Sequence, residues 1–213
     1  MNFGMIDYGR GNLRSVEKAL ERVGASVLRI DSPEKWNALS PAAIILPGVG
    51  AFGDAMANLR ERNLVAPLRD WIKSDLPFLG ICLGYQLLFD SSEESPGVEG
   101  LGVLEGTVIR FPASVKKVPH MGWNQVTPRQ TPGNLFSSFS GTPYFYHVHS
   151  YHPTGLEEEH IACETEYDAI KFASGAIRGN LHAFQFHPEK SQENGRKLLQ
   201  AFVNQVRAEV VTA

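Results

Sequence analysis

The sequence predicts an α/β protein whose central sheet is largely parallel, covered by helices on both faces, and extended by antiparallel strands. Three observations carry this. The first half of the chain alternates short apolar strands with amphipathic helices, the pattern of parallel β–α units. Glycine-containing turns punctuate the strand ends there. From Gly106 onward the texture changes to short strands separated by turns rich in Gly, Pro and Ser, which favours antiparallel pairing.

In order, Phe3 to Ile6 reads as a strand ending in the turn Asp7-Tyr8-Gly9-Arg10-Gly11. Asn12 is placed to cap a helix whose Leu13, Val16, Leu20 and Val23 share one face, and Gly24 closes it. Val27 to Ile30 and Ala43 to Leu46 are the next strands, the latter halted by Pro47-Gly48-Val49-Gly50. Asp54 to Ser74 reads as helix broken near Pro67, Phe78 to Ile81 as a buried strand, and Leu83 to Phe89 as a buried helix. Val108 to Phe111, Tyr144 to Tyr146, Ile161 to Cys163, Ile170 to Phe172 and Ala183 to Phe186 read as the short strands of an extension of the same sheet. Ser191 then caps a last helix with Leu198, Leu199, Phe202, Val203 and Val206 on its apolar face. No internal repeat or interdomain linker interrupts the chain. The expected architecture is a single-domain, flavodoxin/Rossmann-like three-layer sandwich.

Bulk properties narrow the function. A chain of 213 residues suits one domain with a core large enough to need no staples. A formal net charge of -3 gives no electrostatic reason for nucleic-acid binding. Two cysteines, Cys82 and Cys163, are too few for a disulfide framework. The amino terminus lacks the pattern of a secretory signal and no apolar run spans a bilayer, so a cytoplasmic protein is expected.

The chemistry concentrates on Cys82. In Gly80-Ile81-Cys82-Leu83-Gly84 a strand runs into a cysteine and then a helix, so the side chain points out over the carboxyl end of the sheet, where ligands of such sheets bind. A helix amino terminus there favours a thiolate. Downstream, His187-Pro188-Glu189 sets a base and a carboxylate two residues apart, able to deprotonate the thiol and to orient the imidazole. The glycine turn Pro47 to Gly53 is placed to aim backbone N–H groups at an oxyanion, with Val49 and Leu83 as donors. Each signal has a plain alternative: a buried structural cysteine, a loop histidine beside a solvated glutamate, and an ordinary strand–helix loop.

With those residues in view, the chain resembles the class I, triad-type glutamine amidotransferases. More narrowly it is similar to the glutaminase subunits of imidazole glycerol phosphate synthase, the HisH group. The elbow around Cys82 and the run Phe186-His187-Pro188-Glu189 mark the wider family. The runs Asp7 to Leu13, Leu46 to Phe52, Val118 to Asn124, His149-Ser150-Tyr151 and Phe186 through Ser191 mark the narrower group. The resemblance spans residues 1–213 as one glutamine amidotransferase type 1 domain. It implies hydrolysis of L-glutamine through a Cys82 thioester, with His187 and Glu189 completing the triad and no metal or organic cofactor. Ammonia would pass to a HisF-like (β/α)8 cyclase subunit in a heterodimer that makes imidazole glycerol phosphate and an aminoimidazole carboxamide ribotide. It also implies a glutamine pocket lined by Gly50, Gln86, Glu94, His149, Ser150 and Tyr151, with Glu94 reading the α-ammonium. Asn12, Met121, Trp123 and Lys190 would contact the cyclase.

Plain alternatives exist here too: a solvated Glu94, a surface Gln86, sheet packing for Tyr151, a core Trp123 and an exposed Lys190. His147 stands where relatives carry an aromatic. The group His147, His149 and His152 lacks a local Asp, Glu or Cys to complete a metal site. The glycines around Val49 permit a peptide flip, which predicts low activity alone and activation by the partner. Competing readings are an amidotransferase serving another synthase and a catalytically silent subunit on this fold.

Overall fold

The computed structural model describes residues 1–9 and 11–212. Arg10, in the first of the marker runs, lies outside the described residues. The elements begin β1 (Asn2–Ile6), α1 (Leu13–Arg22), β2 (Ser26–Ile30), α2 (Pro33–Leu39), β3 (Ala43–Gly48), α3 (Phe52–Glu61), α4 (Val65–Lys73), β4 (Phe78–Cys82) and α5 (Leu83–Gln86). Then follow β5 (Ser91–Ser92), β6 (Thr107–Arg110), β7 (His120–Gln125), β8 (Thr127–Pro128), β9 (Tyr144–His149), β10 (Tyr151–Thr154), β11 (Ile161–Tyr167), β12 (Ile170–Arg178), β13 (Leu181–Phe184) and α6 (Gln192–Thr212).

The main sheet runs β2-β1-β3-β4-β13-β12-β11-β8. Its first five strands are parallel, and β12 and β11 then pair antiparallel. The parallel part has the strand order of a flavodoxin-like sheet, so its ligand side is the carboxyl edge of β3, β4 and β13. Alternation along β3 explains the two helix layers. Ala43 and Ile45 join α1 and α6 through Leu13, Val16, Phe202 and Val206. Ile44 and Leu46 face the other way, onto Trp36, Leu59, Leu68 and Ile72 of α2 to α4. Each such fully buried aliphatic side chain contributes about 1.5–3 kcal/mol.

Five expectations need correction. The strand expected at Ala183 to Phe186 is not part of the antiparallel extension: β13 pairs parallel with β4. The break in the helix after Gly53 falls at Arg62 to Leu64, with Asn63 at φ 55, and not at Pro67. Pro67 sits in the first turn of α4, where its missing N–H has no partner inside the helix anyway. The helix after Cys82 is one turn, Leu83–Gln86, and not a run to Phe89. The strands at Thr107–Arg110 and Tyr144–His149 do not extend the main sheet. They belong to a three-stranded sheet β10-β6-β5 and a two-stranded ribbon β7-β9. Neither expected side-chain cap forms. Asn12 precedes α1 without a capping hydrogen bond. The Ser191 hydroxyl accepts from Tyr146 N–H at 2.9 Å and donates to the His187 carbonyl at 2.6 Å, stitching the ribbon to the His187 segment.

Among the described residues no helix is long and apolar enough to cross a membrane. His182, fully buried between β13 and Phe202 of α6, bears on stability. Burial pushes it down to about 4, with the nearby Gln205 amide offsetting part of the cost. Because the folded value lies below the ordinary one near 6.5, the unfolded chain binds more protons between the two. Stability is therefore full above pH ~6.5 and drains as the pH falls toward 4, by about 3 kcal/mol from this one group. Melting curves from pH 7 to pH 4 should show that loss, and His182→Leu should flatten part of the slope.

Candidate active site

Cys82 ends β4 and begins α5 with φ 55 and ψ −108, a strained turn that turns its side chain out of the sheet. The turn is possible because α5 packs almost on the backbone of β3. A Cβ on Gly84 would overlap the Leu46 carbonyl oxygen, and one on Gly48 would overlap the Tyr8 hydroxyl. Since α5 is a single turn, its dipole is small. The sulfur is faced instead by neighbouring side chains.

His187 is the first of these. It follows β13, its N–H donates to the Tyr146 carbonyl at 2.9 Å, and it is almost fully buried. Its Nδ1 donates to Glu189 Oε1 at 2.8 Å, and both side chains are shielded from solvent. Burial works to lower the imidazole, but negative charge on Cys82 beside it, together with Glu189, outweighs that and holds it well above its ordinary value. The imidazole thus stands between the sulfur and a carboxylate.

These groups open onto a cavity of about 380 Å³ lined by Cys82, Leu83, Gln86, Glu94, His187, Val49, Gly50, His149, Ser150 and Tyr151. Every residue named above for nucleophile, base, oxyanion donor or glutamine pocket thus borders one cavity, except Glu189, which stands behind His187. Gly50 sits at φ +103 with open space around it, and Val49 is 40% exposed. Glu94 is held by its Oε2, which accepts from Phe52 N–H at the start of α3 at 2.7 Å. His149 borders the cavity, but both ring nitrogens are spent: Nδ1 donates to the Tyr151 carbonyl at 2.8 Å and Nε2 lies 3.0 Å from His120 Nδ1. The Tyr151 ring packs on the core, so its carbonyl is its polar group at the site.

The histidine group differs from the expected one. Cross-strand register on the β7-β9 ribbon sets His120 opposite His149, so His120 joins His147 and His149, while His152 turns its Nδ1 toward the Pro153 carbonyl. The bonding is directional. Asn124 Nδ2 donates to the Glu166 carbonyl at 2.9 Å and its Oδ1 accepts from Gln125 N–H at 2.8 Å, which fixes that amide. It therefore donates to His120 Nε2 at 3.2 Å, and His120 carries its proton on Nδ1, aimed at His149. His120 and His147 stack with 23° between their planes, and the Nδ1 atoms of both approach His149 Nε2, at 3.0 and 3.4 Å. His147 fills the place of an aromatic ring, against Phe172 and Phe186. Burial is the main reason all three stay neutral, with His120 pushed down to about 4 and the other two held well below the ordinary value.

The four residues expected as partner contacts are all exposed. Met121 and Trp123 are 53% and 45% exposed, so Trp123 is no core residue. Asn12 is exposed, and Lys190 Nζ lies 5.8 Å over the Tyr146 ring, which packs edge-on against Trp123. Three residues at the site escaped the sequence reading. Tyr8 places its buried hydroxyl beneath Gly48; burial first, then charge on Cys82, pushes it well up. His120 could be found only through strand register. Gln185, between Phe184 and Phe186 on the way to His187, is fully buried and donates from Nε2 toward Cys82 Sγ at 3.9 Å.

A buried cysteine at a strained elbow, a histidine bonded to a carboxylate, and a cavity beside them are the parts of a thiol-nucleophile enzyme site on an α/β sheet. Comparison with known proteins agrees. A family model for glutamine amidotransferase class-I matches residues 4–206. The imidazole glycerol phosphate synthase subunit HisH of Moorella thermoacetica is 52% identical over 204 residues, 95% of this chain and 94% of that one. The subunit of the same name from Aquifex aeolicus is 46% identical over 198 residues, 93% and 94% of the two chains. Among solved structures, PurLQS from Thermotoga maritima superposes with a TM-score of 0.75 at 18% identity, covering 96% of this chain and 98% of that one. A crystal structure of a glutamine amidotransferase gives 0.74 at 19% identity, with coverage of 96% and 98%. At those identities the structural likeness speaks to fold alone. The chain belongs to the class-I glutamine amidotransferase family, within its HisH group.

Proposed function

We propose that this chain is the glutaminase subunit of an imidazole glycerol phosphate synthase. Its close likeness along nearly the whole length to proteins of that name supports the assignment. The observation that carries the chemistry is the hydrogen-bonded His187–Glu189 pair set beside Cys82 at the cavity.

In this reading Cys82 Sγ attacks the side-chain carbonyl carbon of glutamine, and the C–S bond forms as the carbonyl π pair moves onto oxygen. The Val49 and Leu83 N–H groups receive that oxyanion. Collapse breaks the C–N bond, and the proton on His187 Nε2 leaves with ammonia. Water then attacks the thioester, His187 takes its proton, and glutamate departs as the sulfur recovers its electron pair. Glu189 holds the imidazole in place through both steps. Gly50, Gln86, Glu94 and the His149-Ser150-Tyr151 segment hold the glutamine, with Glu94 taking the α-ammonium. No cofactor takes part in these steps.

Ammonia then passes to a HisF-like (β/α)8 cyclase in a heterodimer, where imidazole glycerol phosphate and the aminoimidazole carboxamide ribotide form in the cytoplasm. Met121, Trp123, Asn12 and Lys190 dock that partner, with Trp123 as an exposed aromatic anchor. The Val49 peptide gates the reaction: the open space around Gly50 lets it turn its N–H toward or away from the oxyanion. Glutamate release by the chain alone should therefore be slow, and adding the cyclase with its nucleotide ligand should raise it at least ~100-fold, the cost of one missing oxyanion donor. Release that is equally fast without the partner refutes the gate; no release with it refutes the glutaminase assignment.

A further inference from the structure

The buried amides of Gln86 and Gln185 form a chain whose direction is set by one main-chain carbonyl. The Tyr151 carbonyl only accepts, so the Gln86 atom 3.1 Å from it is Nε2. That same Nε2 lies 3.0 Å from the Gln185 side chain, so the atom it meets there is Oε1. Gln185 Nε2 is thereby left on the other side, 3.9 Å from Cys82 Sγ. Turning either amide over would set donor against donor or acceptor against acceptor, which a buried pair tolerates poorly. The backbone under Gln185 is anchored as well, its N–H donating to the Ser174 carbonyl at 2.9 Å.

We propose that Gln185 is a positioning residue for the glutaminase reaction, an inference that rests on the reading above. Its N–H steadies the Cys82 sulfur as it carries charge, and its oxygen locks Gln86. With both Gln86 N–H groups spent on Tyr151 and Gln185, the Gln86 oxygen is the polar atom left for the cavity it borders. That wall then receives a donor, an amide or ammonium group of glutamine, and repels a carboxylate. One chain of hydrogen bonds couples nucleophile to substrate recognition. The sulfur needs such a donor because the single-turn α5 offers it little dipole.

The test uses Gln185→Met, which keeps volume and loses both polar atoms, and Gln185→Asn, which shortens the reach. The first readout is the rate of Cys82 alkylation by iodoacetamide at neutral pH, followed by mass spectrometry, without glutamine or partner. It should fall about 10-fold, the scale of one charge-assisted hydrogen bond. The second is glutamate release with the cyclase present, in which kcat should fall and KM rise together. A melting curve checks that each variant is folded. Folded variants that alkylate at the wild-type rate with unchanged KM overturn the proposal, even if they melt lower, since packing alone would do that. Should the Met variant not fold, the Asn variant decides. The alkylation readout stands apart from glutamine turnover: a wild-type chain that releases no glutamate refutes the glutaminase reading, whereas an unmoved alkylation rate refutes the role of Gln185.

Discussion

Cys82→Ala should reduce glutamate release to background, with or without the cyclase partner, a loss of at least ~10⁴-fold. No other group can stand in for the sulfur. Cys163 is fully buried on β11, burial first of all pushing its thiol well up, and it borders no part of the cavity. A water bound where the sulfur was would need His187 as a free base. In Cys82→Ala that base would act on a water, a far poorer nucleophile than a thiolate, and no acyl-enzyme would form. Cys82→Ser should fare little better, because a hydroxyl keeps its proton far more tightly than a thiol. The chain should still fold, since alanine meets the same φ of 55 and the change removes one buried sulfur atom. The measurement is a coupled glutamate assay beside covalent labelling with a glutamine-analogue electrophile, which should mark the wild type at Cys82 and leave the alanine variant unmarked. Most of the activity surviving in Cys82→Ala would remove the sulfur from the mechanism altogether.

The elbow that carries Cys82 was legible in sequence because its geometry is local: a strand, a sharp turn and flanking glycines occupy five consecutive residues. The same holds for His187 and Glu189, two apart on one segment. What stayed hidden depends on which strand lies beside which. Thr107–Arg110 and Tyr144–His149 carry strand patterns, but a pattern names no partner, and both left the main sheet for smaller ones. His120 reaches His149 only through the register of β7 on β9. Pro67 misled because a proline breaks a helix in its interior but sits freely in a first turn, and the sequence alone did not place that turn. Gln185 lies in a Phe-Gln-Phe run whose alternation predicts a polar residue facing solvent, whereas both faces of β13 are covered. A residue of that kind, polar and walled in beside Cys82, is where local chemistry overrides the burial pattern.

Gly84→Ala should cost about 3 kcal/mol of stability and at least ~100-fold in glutamate release. The two losses have one origin. A methyl at this position has nowhere to go: it meets the Leu46 carbonyl oxygen, with the Leu46 carbonyl carbon only 2.8 Å away, and backbone cannot swing aside as a flexible side chain can. Relief requires α5 to lift from β3. Leu83 opens α5, and β3 leads directly through Gly48 into Val49, so lifting one element from the other separates the two proposed oxyanion donors. A misplacement of about 1 Å at such a pair is enough for a 100-fold loss. Gly50→Ala provides the contrast, because its Cβ would meet nothing within 4 Å and only the φ of +103 resists. That change should leave α5 seated and shift the balance of the Val49 peptide, altering the degree of partner activation more than the melting temperature. For Gly84→Ala the melting temperature should drop by roughly 10 °C. A variant that melts like the wild type and retains full turnover would mean that the close approach of α5 to β3 is not what holds the oxyanion donors in register.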